Sequence, residues 1–309
     1  MPEGPECTRT ARQVDRAVRG KKLVNMNIIS GRYTKKLPDG FDNFYISLEE
    51  QNLPVKGVFN KGKFIWWEFG DMFPICYMYT TLGMTGNFKL KPSKHTRFAL
   101  YFDDDSSIYY NDMRNFGTIK FVDKENDLQA KLRSIGPDML NNPCTLSEFN
   151  TRARGNPSWS VVKWLMDQKK ISGVGNIYKS ESLFLAGIAP HRTMGSLYDE
   201  ELGRLYHAVC QVLSASYESG GATIRNYSDL YNNHGKYTRF ASNPTEIVEA
   251  RGGRVMVYNQ KELEKLEQKM IFLRKDIEIT NLCINIIEKE KVVDIRERVY
   301  DALEKPQPN

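Results

Sequence analysis

The chain of 309 residues is 40% hydrophobic with a formal net charge of +6, so it can bury a substantial core, is expected to divide into two domains, and does not have the composition of a disordered protein. Its 44 Lys and Arg against 38 Asp and Glu permit a polyanionic partner without demanding one. The scattered Cys7, Cys76, Cys144, Cys210 and Cys283 argue against a disulfide framework and a CxxC zinc site, no apolar run reaches membrane-spanning length, and no secretory signal opens the chain. A soluble protein of a reducing, intracellular compartment is expected.

The chain opens Met1-Pro2-Glu3-Gly4-Pro5-Glu6. Removal of Met1 would expose a secondary amine at Pro2, and because an α-amino group titrates at about 7.7–8.0, a useful fraction is neutral and nucleophilic near pH 7. Such an amine can attack an aldehyde-like carbon and form an iminium. Glu3 and Glu6 lie close enough in sequence for one to donate a proton and the other to anchor the terminus. The same hexapeptide also suits an ordinary solvated helix start, because proline is common at the beginning of a helix.

From about residue 8 to 19 the spacing of Val14 and Val18 among Arg9, Arg12, Arg16 and Arg19 predicts a helix, stopped by Gly20. Strand-like runs follow at 64–69, 75–81, 98–102, 109–110 and 118–122, rich in aromatic and β-branched residues. They predict a mainly β domain over 1–135, ended by Gly136-Pro137-Asp138 and Asn141-Asn142-Pro143, which read as an interdomain linker over 136–157. Helical periodicity then dominates at 159–168, 178–185 and 199–216. Gly252-Gly253 before Arg254-Val255-Met256-Val257-Tyr258 suggests a hairpin, and Leu266, Met270, Leu273 and Ile277 suggest a further helix that packs on the parent domain.

Gly173-Val174-Gly175-Asn176-Ile177-Tyr178 lies in a tight turn opening a helix, where backbone N–H groups and the helix dipole favour a phosphate and Asn176 could add a side-chain donor. Alone, such a turn is commonly only a turn. It occurs here together with the N-terminal hexapeptide, Leu82-Gly83-Met84-Thr85-Gly86, and the run Tyr110-Asn111-Asp112-Met113-Arg114-Asn115-Phe116-Gly117. In this order and rough spacing, from Met1 to about Tyr258, the chain resembles the formamidopyrimidine-DNA glycosylase/endonuclease VIII family.

The resemblance implies an α+β fold with a β-sandwich catalytic domain (1–135), a helix-two-turn-helix DNA-binding domain (158–235) and a finger hairpin (236–260), and the helical spacing past the resemblance predicts a C-terminal helical extension (261–309). It implies a bifunctional base excision repair enzyme, removing oxidised bases from double-stranded DNA and cleaving abasic sites by β- or β,δ-elimination. Pro2 matches the family's N-terminal nucleophile, which forms a Schiff base with the sugar, and Glu3 the family's acid. Lys63 matches a lysine that contacts phosphate and assists catalysis, and Glu6 is expected to hold the N-terminal geometry. Met84, Arg114 and Phe116 match residues that enter the duplex where the base has been extruded, and His95 and Asn176 match DNA contacts. Arg254 matches the finger arginine that grips phosphates beside the lesion.

The finger cysteines of many relatives are missing, which resembles the family's metal-free "zincless finger" members, so no metal or other cofactor is implied. Thr81 and Pro157-Ser158 depart from the family's usual residues, with Arg152 and Arg154 as possible substitutes for the lost basic contacts. Gly4 resembles the endonuclease VIII side, favouring oxidised pyrimidines, whereas Met84, Arg114 and Phe116 resemble the formamidopyrimidine side. The resemblance implies a monomer acting in the nucleus or another DNA-containing compartment. The contrasting possibility is a noncatalytic damaged-DNA-binding protein on the same scaffold, which would have no chemical need of Pro2, Glu3 and Lys63.

Overall fold

A computed structural model describes residues 1–70, 76–223 and 227–237, together with the backbone of 246–250 and 254–258. The first helix, α1 (Gly4–Val18), starts about four residues earlier than its apolar spacing predicts. The reason is local: the Glu6 carboxylate accepts the Glu3 backbone N–H at 2.8 Å, closing the helix start, and Pro5 sits where a missing N–H costs nothing. Gly20, at a φ of +81°, turns the chain out of the helix, a conformation cheap only for glycine.

The strands are β1 (Lys22–Ile28), β2 (Leu53–Lys61), β3 (Phe64–Phe69), β4 (Cys76–Thr81), β5 (Asn87–Lys89), β6 (Thr96–Phe102), β7 (Ser107–Asn111) and β8 (Thr118–Val122). They form one antiparallel sheet in the order β5-β7-β6-β1-β2-β3-β4-β8. Its middle joint is narrow, with β1 and β2 paired only through Lys22 with Pro54 and Leu23 with Leu53. The sheet folds over at this joint, and the four-stranded halves share one core. Trp67 of β3 meets Phe88 of β5 from the other half at 5.6 Å between ring centroids. Cys7, Ala11, Val14 and Val18 of α1 enter the same core. Trp67 is fully buried there, and its truncation to alanine should cost about 3–5 kcal/mol.

Between β1 and β2 lies α2 (Phe41–Gln51), which the strand pattern did not reveal. Its Phe41, Phe44 and Leu48 recur on one face, and Phe44 stacks on Phe121 at 4.3 Å. After the sheet comes α3 (Glu125–Ser134), whose Leu128 packs with Phe64 and Tyr77 on the outer sheet face.

The segment expected to be a linker over 136–157 instead carries α4 (Leu146–Arg154), capped by the Thr145 hydroxyl accepting from the Glu148 N–H. Phe149 and Ala153, one turn apart, bury its inner face, with Phe149 against Trp164 at 5.0 Å. The turn residues before it hid this helix. The expected helix at 159–168 is shorter, α5 (Val161–Met166), and is followed by α6 (Asn176–Ala186) and the long α7 (Asp199–Glu218). From α7 the chain returns across α1. There the buried Asp229 carboxylate accepts from Gln13 at 2.8 Å and Arg9 at 3.1 Å, and Lys89 donates to the Ser228 carbonyl at 3.1 Å.

The predicted hairpin forms as β9 (Glu246–Ala250) paired with β10 (Arg254–Tyr258), Arg254 standing opposite Ala250. The side chain of Arg254 and the extension expected over 261–309 lie outside the described residues.

Candidate active site

Pro2 is buried and lines a cleft of about 300 Å³, together with Met1, Lys61, Lys63, Lys131, Gln168 and the Thr81-Leu82-Gly83 run that leads to Met84. Three lysines on one small cleft make it attractive to a polyanion. The position of Pro2 is set by the two residues after it. The Gly4 N–H donates to the Gly173 carbonyl at 2.8 Å, and a side chain on Gly4 would begin only 2.8 Å from Gly173 Cα. The chain therefore lies backbone to backbone against the turn that opens α6, which only glycine permits.

Glu3 is fully buried, and its carboxylate oxygens accept the N–H groups of Ile177 at 2.9 Å and Tyr178 at 3.2 Å. It sits at the positive end of the α6 dipole, where a carboxylate is favoured. This corrects one expectation: two backbone donors of the Gly173–Tyr178 segment expected to face a phosphate, those of Ile177 and Tyr178, are instead engaged by Glu3. The Asn176 side chain is half-buried at the first position of α6, with its Oδ1 accepting from Lys179 Nζ at 2.7 Å.

Lys63 follows Gly62, whose φ of +56° makes the tight β2–β3 turn. The Gly62 N–H donates to the buried Asp138 carboxylate at 2.8 Å, fixing the turn to the start of the helical layer. Lys63 Nζ and the Glu3 carboxyl both converge on Gly175: a Cβ built there would lie 2.4 Å from the one and 2.3 Å from Glu3 Cδ. A side chain at position 175 would displace both groups.

Glu6 is fully buried and joins the layers. Besides the Glu3 N–H, it accepts the Ala222 N–H at 2.8 Å and the Tyr178 hydroxyl, which also bonds Ser216. Burial pushes the Glu6 carboxyl above the usual carboxylate range against the pull of these donors. Burial likewise raises the Cys7 thiol beside it, so that Cys7 is held neutral.

A second cluster stands beyond Gly83. The Arg114 guanidinium lies over the Phe116 ring at 5.3 Å and donates to Met84 Sδ at 3.3 Å, so the three residues expected to enter a duplex are brought together. Phe116 is 54% exposed, unusual for a large aromatic residue without a partner surface. Beneath them, the buried Asp112 carboxylate accepts the Gly117 N–H at 2.7 Å and the Thr85 hydroxyl, tying the two loops together. The Arg114 N–H donates to that same hydroxyl at 3.0 Å. His95 adjoins this cluster: its carbonyl accepts the Asp112 N–H at 2.9 Å, and its side chain lines a second cavity of about 600 Å³ with Thr85 and Met113.

Thus Pro2, Glu3, Glu6, Lys63 and Asn176 gather around the turn that opens α6, and Met84, Arg114, Phe116 and His95 gather beyond it. Residues that sequence reasoning missed are the ones that hold these groups: Asp138, Tyr178, Asp112 and Gln168. Gln168 accepts the Gly173 N–H at 3.1 Å and donates to the Val174 carbonyl at 2.8 Å. Asp138 and Asp112 lay inside segments already singled out, but nothing in their spacing told of such bonds.

Residues 1–119 match the family described as the formamidopyrimidine-DNA glycosylase N-terminal domain, and 135–228 match the formamidopyrimidine-DNA glycosylase H2TH domain. The formamidopyrimidine-DNA glycosylase of Listeria monocytogenes is 30% identical over 244 residues, covering 77% of this chain and 86% of that protein. The crystal structure of the Fpg protein from Thermus thermophilus superposes with a TM-score of 0.71 at 26% identity, over 84% of this chain and 98% of that one. Lactococcus lactis Fpg, solved in complex with a DNA containing N7-benzyl-Fapy-dG, shares the fold at a TM-score of 0.71 and 23% identity, over 84% and 99% of the two chains. With both layers matched and the relatives covered over most of their length, the chain belongs to the formamidopyrimidine-DNA glycosylase family.

Proposed function

We propose that the protein is a DNA glycosylase and abasic-site lyase of base excision repair, acting as a monomer on oxidised bases in duplex DNA in a DNA-containing compartment. The observation that carries this reading is that Pro2 lines a lysine-bearing cleft and that Lys63, which also lines it, converges with the buried Glu3 carboxyl on Gly175. Met1 and Pro2 line the same cleft, so removing Met1 would both free the Pro2 nitrogen and open the space beside it.

The free nitrogen attacks C1′ of the damaged nucleotide, the glycosidic bond breaks, and the base leaves with the bonding pair and takes up a proton. Loss of the nitrogen's proton and opening of the sugar ring give the iminium. This cation acidifies the C2′ proton; its removal expels the 3′ phosphate, and a second elimination can expel the 5′ phosphate before water releases the sugar fragment. Glu3, next to the nitrogen, serves the proton transfers, and Lys63 offers its ammonium to a phosphate. Glu6 keeps the N-terminus in place. Met84, Arg114 and Phe116 fill the gap left in the stack, offsetting part of an unstacking cost of about a few kcal/mol. His95 and Asn176 contact the DNA, and Arg254, on the hairpin, grips phosphates beside the lesion without a metal. The formamidopyrimidine name of the relatives favours oxidised purines over pyrimidines as substrates, despite Gly4.

Borohydride reduction with abasic-site duplex tests the reading. The protein lacking Met1 should be trapped as a covalent complex, and a Pro2→Gly variant or a protein retaining a residue before Pro2 should lose the trap. Tight binding to damaged duplex with no trap would instead identify a noncatalytic damage binder.

A further inference from the structure

Lys179 is only 2% exposed, yet it stands at the end of the first turn of α6, where the helix dipole disfavours a cation. One of its interactions is the 2.7 Å hydrogen bond from Nζ to Asn176 Oδ1, between residues three apart on one helix face. A lysine ammonium has three donors and no acceptor, so only the oxygen of the Asn176 amide can face it. The NH2 end is then turned to the opposite side.

That orientation decides the sign of the contact. With the Ile177 and Tyr178 N–H groups given to Glu3, the Asn176 NH2 is the side-chain donor that this helix start can offer an anion. A flipped amide would present an oxygen lone pair to a phosphate oxygen. We propose that Lys179 is a positioning residue for DNA binding: it locks the Asn176 amide with its NH2 toward the phosphate and touches no DNA itself. This rests on the reading of Asn176 as a phosphate contact.

The test is a double-mutant cycle on duplex affinity, with a stable abasic analogue, at several salt concentrations. Lys179→Met should weaken binding roughly threefold to tenfold, the weight of one hydrogen bond, and leave the salt slope unchanged. Adding Lys179→Met to Asn176→Ala should then weaken binding no further. Additive losses, a salt slope flatter by about one phosphate contact, or wild-type affinity in Lys179→Met would each overturn the proposal. If Asn176→Ala alone binds like wild type, the Asn176 reading itself is at fault and the proposal falls with it. A measurement needing no variant guards against misfolding: in the wild-type protein the Asn176 side-chain NH2 resonances should shift when duplex is added, and unmoved resonances would contradict the proposed orientation.

Discussion

Glu3 and Glu6, next to Pro2, are fully buried and bonded, whereas in the cluster of Met84, Arg114 and Phe116 the Phe116 ring is 54% exposed and the loops beneath it are tied down through Asp112. The difference is the one that the two proposed tasks would require. Attack on a sugar carbon would lose about 100-fold if the nucleophile were displaced by about 1 Å, which neighbours held from both layers would prevent. Filling a gap in a base stack needs apolar area at a fixed height and tolerates side-chain adjustment.

The largest effect that would expose this contrast is expected from Glu6→Ala. It leaves the Glu3 N–H, the Ala222 N–H and the Tyr178 hydroxyl without their shared acceptor, and should cost about 3–5 kcal/mol in denaturant unfolding while abolishing the borohydride trap. A stable, fully trapping Glu6→Ala protein would break the claim that the cleft is locked through this carboxylate. Gly4→Ala comes next. Its new Cβ would meet Gly173 backbone at 2.8 Å, so the trapping rate should fall at least tenfold, as read by quenched time courses.

Asp112→Ala and Phe116→Ala sharpen the other side of the comparison. The first should destabilise the protein by about 2 kcal/mol, because the Gly117 N–H and Thr85 hydroxyl lose their acceptor. The second should change stability by no more than about 0.5 kcal/mol yet slow release of a damaged base from duplex, with trapping on a pre-formed abasic site largely spared. Equal losses on both substrates would show that Phe116 does not serve base extrusion.

The smallest effect is a pH dependence. Burial pushes the Lys89 ammonium down to about 8 in the folded protein, against the pull of Asp229, while the unfolded chain keeps an ordinary lysine near 10.4. Between those values the unfolded state binds more protons, so this residue makes stability rise with pH across that window. Denaturant midpoints should therefore climb less from pH 8 to 10 in Lys89→Met than in wild type; parallel curves would contradict the assignment.

Much of the architecture could be read from the chain before its structure. The aromatic runs of β3 and β4 and the 3.6-residue spacing of α7 announce themselves, because one face of each is buried. By contrast β1 mixes Lys22, Asn25 and Asn27 among its apolar residues, β2 carries Pro54 and Gly57, and α4 follows a run of turn formers; their burial depends on partners far along the chain. The site divides similarly. Pro2, Glu3, Lys63 and Asn176 stand in readable motifs, whereas the bonds from Asp138 to Gly62 and from Glu6 to Ala222 span 76 and 216 positions and leave no periodic trace.

The central claim is that the first ring nitrogen of the processed chain carries the covalent intermediate, and Lys63, close by, is its natural rival. Peptide mapping by mass spectrometry of the borohydride-trapped complex distinguishes them. The account predicts the sugar-derived mass on the peptide that begins at Pro2; finding it on the peptide containing Lys63, with the N-terminal peptide unmodified, would contradict the account.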